Sequence, residues 1–189
     1  MQRVFPVLHV LSQLIMIFSV TMLAPLAVAL WYDDSAQLVY DESFVATFVA
    51  GAVIWLLTRV HKRELQSRDG FLLVALVWTV LPMFATLPLM LHIDGLSFTD
   101  AYFETVSGLT TTGATVLEGL DTLPFSINLW RAELVWLGGM GLIVLAVAIL
   151  PLLGVGGRQI FKAEAPGPMK DAKLTPRMAE TAKGLWLVY

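Results

Sequence analysis

Thr110-Thr111-Thr112-Gly113 is the stretch of this sequence whose residue types could do chemistry, and the chemistry would be the binding of an ion. It lies within the run Phe103-Glu104-Thr105-Val106-Ser107-Gly108-Leu109-Thr110-Thr111-Thr112-Gly113-Ala114-Thr115-Val116. Threonine is at home in extended backbone, so Thr111 and Thr112 are expected to be extended. Gly113 can take a positive φ and puts no Cβ between the backbone and a ligand. A short helix ending on such a loop would aim consecutive carbonyl oxygens at one axis. There they could replace the water around a monovalent cation, the device of potassium-type filters. A plain exposed loop is the other reading of a Thr/Ser/Gly-rich run between helices.

The elements that would position this loop are legible on either side. Apolar segments run from about Phe71 to Leu91 and from about Leu134 to Leu153. Between them, Phe98 to about Leu109 has the pattern of a short amphipathic helix. Ser97 or Thr99 could cap it, and Asp100 and Glu104 suit its positive end. Its C-terminus carries partial negative charge and points toward Thr110–Gly113, which would favour a cation there. Glu118 and Asp121 could add an acidic outer vestibule, or be solvated loop acids.

Of the 189 residues, 57% are hydrophobic and 14% charged, with mean hydropathy +0.75. Soluble domains carry about 25% charged residues, so this is an integral membrane protein. With no cysteine there is no disulfide framework, zinc–thiolate site or thiol chemistry. Basic residues cluster at the ends of apolar segments, a topology signal rather than a nucleic-acid surface. His61 and His92 read as solitary loop histidines. A membrane-embedded enzyme would need convergent acid, base or metal groups at membrane depth. Glu133 is the main acid near a helix core, and no His or Cys pairs with it.

In chain order, the first apolar segment is Val4 to Leu30. A cleaved signal peptide is the rival reading, since Ala27-Val28-Ala29 fits a cleavage site. The apolar stretch exceeds the roughly 7–15 residues of a signal core, which favours a retained helix. Pro25 is expected to bend or end it near its outer end. Trp31 to Glu42, with four acids and no base, reads as an outer loop. The second segment is Ser43 to Val60. The third, Gly70 to His92, contains Pro82 and Pro88, tolerated inside it or marking its end. The fourth, Arg131 to Leu153, carries Gly138, Gly139 and Gly141, small residues that let helices approach closely. Trp130 and Trp136 suit an aromatic belt. Arg131 could pair with Glu104 or Glu133, and snorkelling to the interface is the favoured expectation. Gly154-Val155-Gly156-Gly157 ends the segment.

Lysine and arginine fix the orientation. Arg3, Arg59, Lys62, Arg63, Arg68 and the run from Arg158 to Lys183 fall where four crossings place the cytoplasm; only Arg131 falls outside. The expected fold is therefore all-α integral membrane. It has four transmembrane helices, both ends cytoplasmic, and one re-entrant pore helix and filter loop on the outer side. One loop presents only a quarter of a ring, so three further loops, from this polypeptide or others, would be needed to surround an ion.

The run FETVSGLTTTGATVL resembles the first pore loop of the Trk/Ktr/HKT superfamily of potassium transporters, most closely its TrkH/TrkG branch. Trp136–Gly157, WLGGMGLIVLAVAILPLLGVGG, and the later AETAKGLWLVY are similar to the same branch. The resemblance implies that residues 1–69 are two N-terminal helices outside the repeats. Residues 70–157 are then the first helix–pore-loop–helix repeat, 158–178 a cytoplasmic basic loop, and 179–189 the start of a further helix. On that pattern repeats two to four lie outside the chain, which reads as an N-terminal fragment or truncated product. The resemblance further implies that the carbonyls of Thr111, Thr112 and Gly113 offer themselves to potassium, with Ala114 less certain. It implies bacterial inner-membrane location, potassium as cargo and no cofactor. It also implies a TrkA-like nucleotide-binding partner facing the basic loop and a homodimer of the full-length form. A non-conducting membrane anchor or assembly subunit is the alternative.

Overall fold

The computed structural model describes residues 4–60, 67–144, 184 and 187–189. Its regular structure is helical: α1 Phe5–Thr21, α2 Leu23–Tyr32, α3 Gln37–Thr58, α4 Ser67–His92, α5 Phe98–Leu109 and α6 Phe125–Val144, with a 3-10 turn at Leu120–Thr122. Three stretches of the described residues are long and apolar enough to cross a membrane: Phe5–Tyr32, Gln37–Thr58 and Asp69–His92. The fourth expected crossing is entered as α6, six residues before Arg131; its far part, 145–153, lies outside the described residues. So do His61, Lys62 and Arg63, the Gly154–Gly157 terminator, the basic loop 158–178, and residues 179–183.

The first segment is two helices rather than one. The break falls at Met22, whose N–H bonds back to Ser19 at 3.1 Å. Pro25 explains it: proline has no N–H to offer the carbonyl four residues earlier, at Thr21, and its ring crowds that carbonyl. The effect of Pro25 is thus felt one turn upstream, not at the outer end.

The outer loop is shorter than expected. Asp33 takes a left-handed φ of 51° and ends α2. The Asp34 carboxylate accepts from the Ala36 N–H at 3.0 Å, and α3 follows at once. Asp41 and Glu42 therefore stand in the first turns of α3, exposed, rather than in a loop. Asp34 also accepts from Ser126 N at 3.2 Å, and Tyr40 Oη donates to Ser126 O at 2.9 Å. These two bonds fasten the N-terminal helices to the start of α6.

Helix α4 continues through Pro82 and Pro88 to His92. Side chains of α5 and α6 donate to three carbonyls of this stretch, none of them the Trp78 or Phe84 carbonyl that each proline deprives of its helical partner. Tyr102 Oη reaches Thr79 at 3.1 Å, Thr105 Oγ1 reaches Pro82 at 3.0 Å, and Trp130 Nε1 reaches Ala85 at 3.1 Å. Trp130 is consequently not part of a lipid-facing belt. It is wholly buried beside Phe18, with ring centroids 5.8 Å apart, while Trp136 remains 46% exposed. Met22, Tyr40, Leu89, Leu109, Ile127 and Leu134 complete this core. Lipid tails are as apolar as these side chains, so the gain here is close packing rather than escape from water.

Candidate functional site

Ser97 starts α5. Its Oγ accepts from Asp100 N at 3.1 Å and donates to Asp100 Oδ2 at 2.7 Å, satisfying one of the free N–H groups of the first turn. The helix ends in a Schellman motif. Thr111 N–H bonds to Gly108 O and Thr112 N–H to Ser107 O, both at 2.9 Å. The residue between cap and turn must be left-handed, and that residue is Thr111, with φ 57°. Thr111 is therefore not extended as expected. Gly113 does take a positive φ, 75°.

The direction of the loop carbonyls follows from these bonds. A trans peptide is planar, with N–H and C=O on opposite edges. The N–H groups of Thr111, Thr112 and Gly113 all turn in toward the end of α5, the last by a long 3.4 Å bond to Ser107 O. The carbonyls of Thr110, Thr111 and Thr112 therefore turn away from α5. Among the described residues, none of the carbonyls from Thr110 to Gly113 accepts a hydrogen bond, and Thr110 to Val116 are all exposed. Ala114 differs, because its carbonyl accepts from Ser107 Oγ at 2.6 Å.

Behind the loop sits an ion pair between a buried carboxylate and a half-buried guanidinium. Glu104, 6% exposed, accepts from Arg131 Nη2 at 2.7 Å and Nε at 2.8 Å. The same carboxylate accepts from Thr115 Oγ1 at 3.0 Å and from Val116 N at 3.2 Å. Arg131 thus pairs with Glu104 and does not snorkel; its remaining contacts go to Thr115 Oγ1 at 3.4 Å and Asn128 Oδ1 at 3.5 Å. Oε2 of Glu133 is buried with no hydrogen-bond partner among the described residues. Glu118 and Asp121 are exposed. No group of three or more His, Cys, Asp or Glu among the described residues could hold a metal ion.

Helix α6 carries Gly138 against the end of α5. A Cβ at Gly138 would fall onto the Leu109 carbonyl, 2.6 Å from its carbon. Gly141, by contrast, faces nothing within 4 Å among the described residues. Only the first of these two glycines is a packing position there. Ser107 and Thr115 were not singled out from sequence, and the Glu104–Arg131 pairing was an alternative to the favoured snorkelling. A signal existed: Glu104, Ser107 and Gly108 share one face of α5 by helical spacing, so that face had to meet something that accepts charge.

The model of the TrkH family, described as a cation transport protein, matches residues 37–189. The chain belongs to the TrkH family. It is 54% identical to the Trk system potassium uptake protein TrkH of Vibrio parahaemolyticus over 97% of its length. It is 52% identical to TrkH and 42% identical to TrkG of Escherichia coli, over 96% and 97%. The chain spans 38% of the length of each of these relatives. The crystal structure of the potassium transporter TrkH from Vibrio parahaemolyticus superposes with a TM-score of 0.80 at 48% identity, over 98% of this chain and 36% of that one. The all-helical membrane architecture is shared with that family member.

Proposed function

We propose that this chain forms one wall of a potassium-uptake path, with the carbonyls of Thr111, Thr112 and Gly113 offered to the ion. The observation that carries the reading is the turning of three successive N–H groups into the end of α5, which turns the Thr111 and Thr112 carbonyls, with that of Thr110, away from the helix; the exposed Gly113 carbonyl follows them in the row and accepts no hydrogen bond among the described residues. Unpaired carbonyls at membrane depth are tolerable only in a water-lined or ion-lined cavity. The potassium-uptake names of the relatives support the cargo.

On this reading α5 and its loop are re-entrant between α4 and α6, and α6 is the fourth crossing. Both ends of the chain face the cytoplasm of a bacterial inner membrane, since Arg131 is the lone outer base and is neutralised by Glu104. Three similar loops complete the ring. The basic loop at 158–178 faces a TrkA-like nucleotide-binding subunit, and the full-length form is a homodimer. The role is transport, not enzymatic turnover.

The test grafts this chain in place of the matching segment of the Vibrio parahaemolyticus relative. The chimera is expressed in cells that lack their own potassium uptake. Growth at low potassium, lost on Gly113→Ser, is the expected outcome. A membrane anchor would be indifferent to Gly113→Ser, and undiminished growth of that variant overturns the ion-path reading.

A further inference from the structure

We propose that Glu104, held by Arg131, is a positioning residue that sets the cation selectivity of the loop from behind. This rests on the ion-path reading above. Glu104 touches none of the outward carbonyls. It lies one to two helical turns before them on α5 and reaches past them to the returning strand. Its two oxygens hold Thr115 Oγ1 and Val116 N at 3.0 and 3.2 Å. The departing end of the loop is fastened to α5 separately, through the Schellman bonds of Thr111 and Thr112. Gly113, left-handed and with nothing within 4 Å of where a Cβ would stand among the described residues, joins these two ends, its own N–H reaching Ser107 O at 3.4 Å. The spacing between the carbonyls of Thr111, Thr112 and Gly113 is therefore set by how far Thr115 and Val116 are drawn toward α5, together with the Ser107 hydroxyl that holds the Ala114 carbonyl.

That distance is governed by the charge of Glu104. A carboxylate accepts hydrogen bonds more strongly than an amide oxygen, and this one takes four donors. Burial makes each bond stronger and makes loss of the partner charge costly. Arg131 supplies that charge through a two-nitrogen contact that Lys cannot reproduce. It also touches Thr115 directly at 3.4 Å, so both members of the pair bear on the same strand. A loop whose ends are clamped this way keeps a fixed cage size; a loop released at Thr115 and Val116 can close around a smaller ion.

The experiment uses the full polypeptide that carries this segment, reconstituted in vesicles, with rubidium as tracer and sodium as competitor. Glu104→Gln keeps the shape and removes the charge. Thr115→Val removes the hydroxyl that donates to Glu104 Oε1 and accepts from Arg131 Nη2 and Leu117 N, and leaves the Glu104–Arg131 charge pair intact. Both are expected to weaken the preference for rubidium over sodium, Glu104→Gln by about tenfold, the scale of one charge-assisted hydrogen bond. The amount of inserted protein and its elution profile are expected to be unchanged for Thr115→Val. Arg131→Lys keeps the charge but not the two-nitrogen contact, and is expected to fall between wild type and Glu104→Gln. If Glu104→Gln fails to insert, Thr115→Val alone decides. Unchanged selectivity in Thr115→Val, while Gly113→Ser abolishes uptake, overturns the positioning role and leaves the ion path standing. Uptake indifferent to Gly113→Ser removes both.

Discussion

The α-carbon of Gly138 on α6 stands against the carbonyl of Leu109, the last residue of α5. The contact is backbone on backbone, so no rotamer change can make room for a side chain. It also fixes where α5 ends relative to α6, and with it the origin of the Thr-Thr-Gly loop. Gly138→Ala is expected to destabilise the protein by about 2 kcal/mol, the scale of overpacking in a closed site. Gly141→Ala, three residues along and with nothing within 4 Å among the described residues, is expected to be neutral or slightly stabilising through helix propensity. Thermal unfolding of the two variants in one detergent checks the contrast. Equal behaviour of the two would mean that α5 and α6 do not meet at Gly138.

Thr111 occupies the left-handed position of a Schellman motif, where glycine is the usual residue. For a β-branched side chain this conformation is strained, by roughly 1–3 kcal/mol. Thr111→Gly is expected to raise stability by about 1 kcal/mol after glycine's own entropy cost, seen as a higher unfolding midpoint. On the ion-path reading the same change loosens the loop and lowers discrimination against sodium. A Thr111→Gly variant that is less stable than wild type would contradict the left-handed geometry.

The sequence carried some of this clearly and some not at all. The bounds of α5 match the expected Phe98–Leu109 because both ends are signalled locally: Ser97 as a cap, and a change from helical spacing to consecutive threonines. The positive φ of Gly113 was legible for the same reason. The break at Met22 was not, since a proline acts on the carbonyl four residues before it. Asp41 and Glu42 misled because acids mark loops on average, yet exposed first turns of a helix hold them equally well. Trp130 and Arg131 misled for a different reason. An aromatic and a base near the end of an apolar segment suit the lipid interface. Their actual partners, Ala85 and Glu104, lie 45 and 27 residues away in sequence, and only the packing of α4, α5 and α6 brings them together.

Trp130 makes that correction testable. Trp130→Phe removes the hydrogen bond to Ala85 O and leaves space in a core where the ring has no exposure. The expected cost is about 1–3 kcal/mol. Trp136→Phe alters a half-exposed ring and is expected to stay within about 0.5 kcal/mol of wild type. Two aromatic-belt residues would instead respond alike, which the unfolding midpoints of the pair would reveal.

Ser107 joins the two ends of the loop in a way that neither Glu104 nor Gly113 does. Its backbone oxygen receives the N–H of Thr112, and its hydroxyl donates to the carbonyl of Ala114 at 2.6 Å. A carbonyl already engaged by a hydroxyl offers a weakened lone pair to an ion, so the row of available oxygens stops at Gly113. Ser107→Ala removes the hydroxyl alone. The cost in stability is expected to be about 1 kcal/mol, that of one hydrogen bond at a partly buried site. On the ion-path reading, the freed Ala114 carbonyl adds an oxygen at the end of the row and shifts the preference among rubidium, potassium and sodium. Ser107→Thr keeps the hydroxyl and is expected to retain the wild-type order of ions. Competition of the three ions in vesicle uptake distinguishes the two substitutions. An unchanged order in Ser107→Ala would mean that the Ala114 carbonyl lies off the ion path whether or not Ser107 holds it.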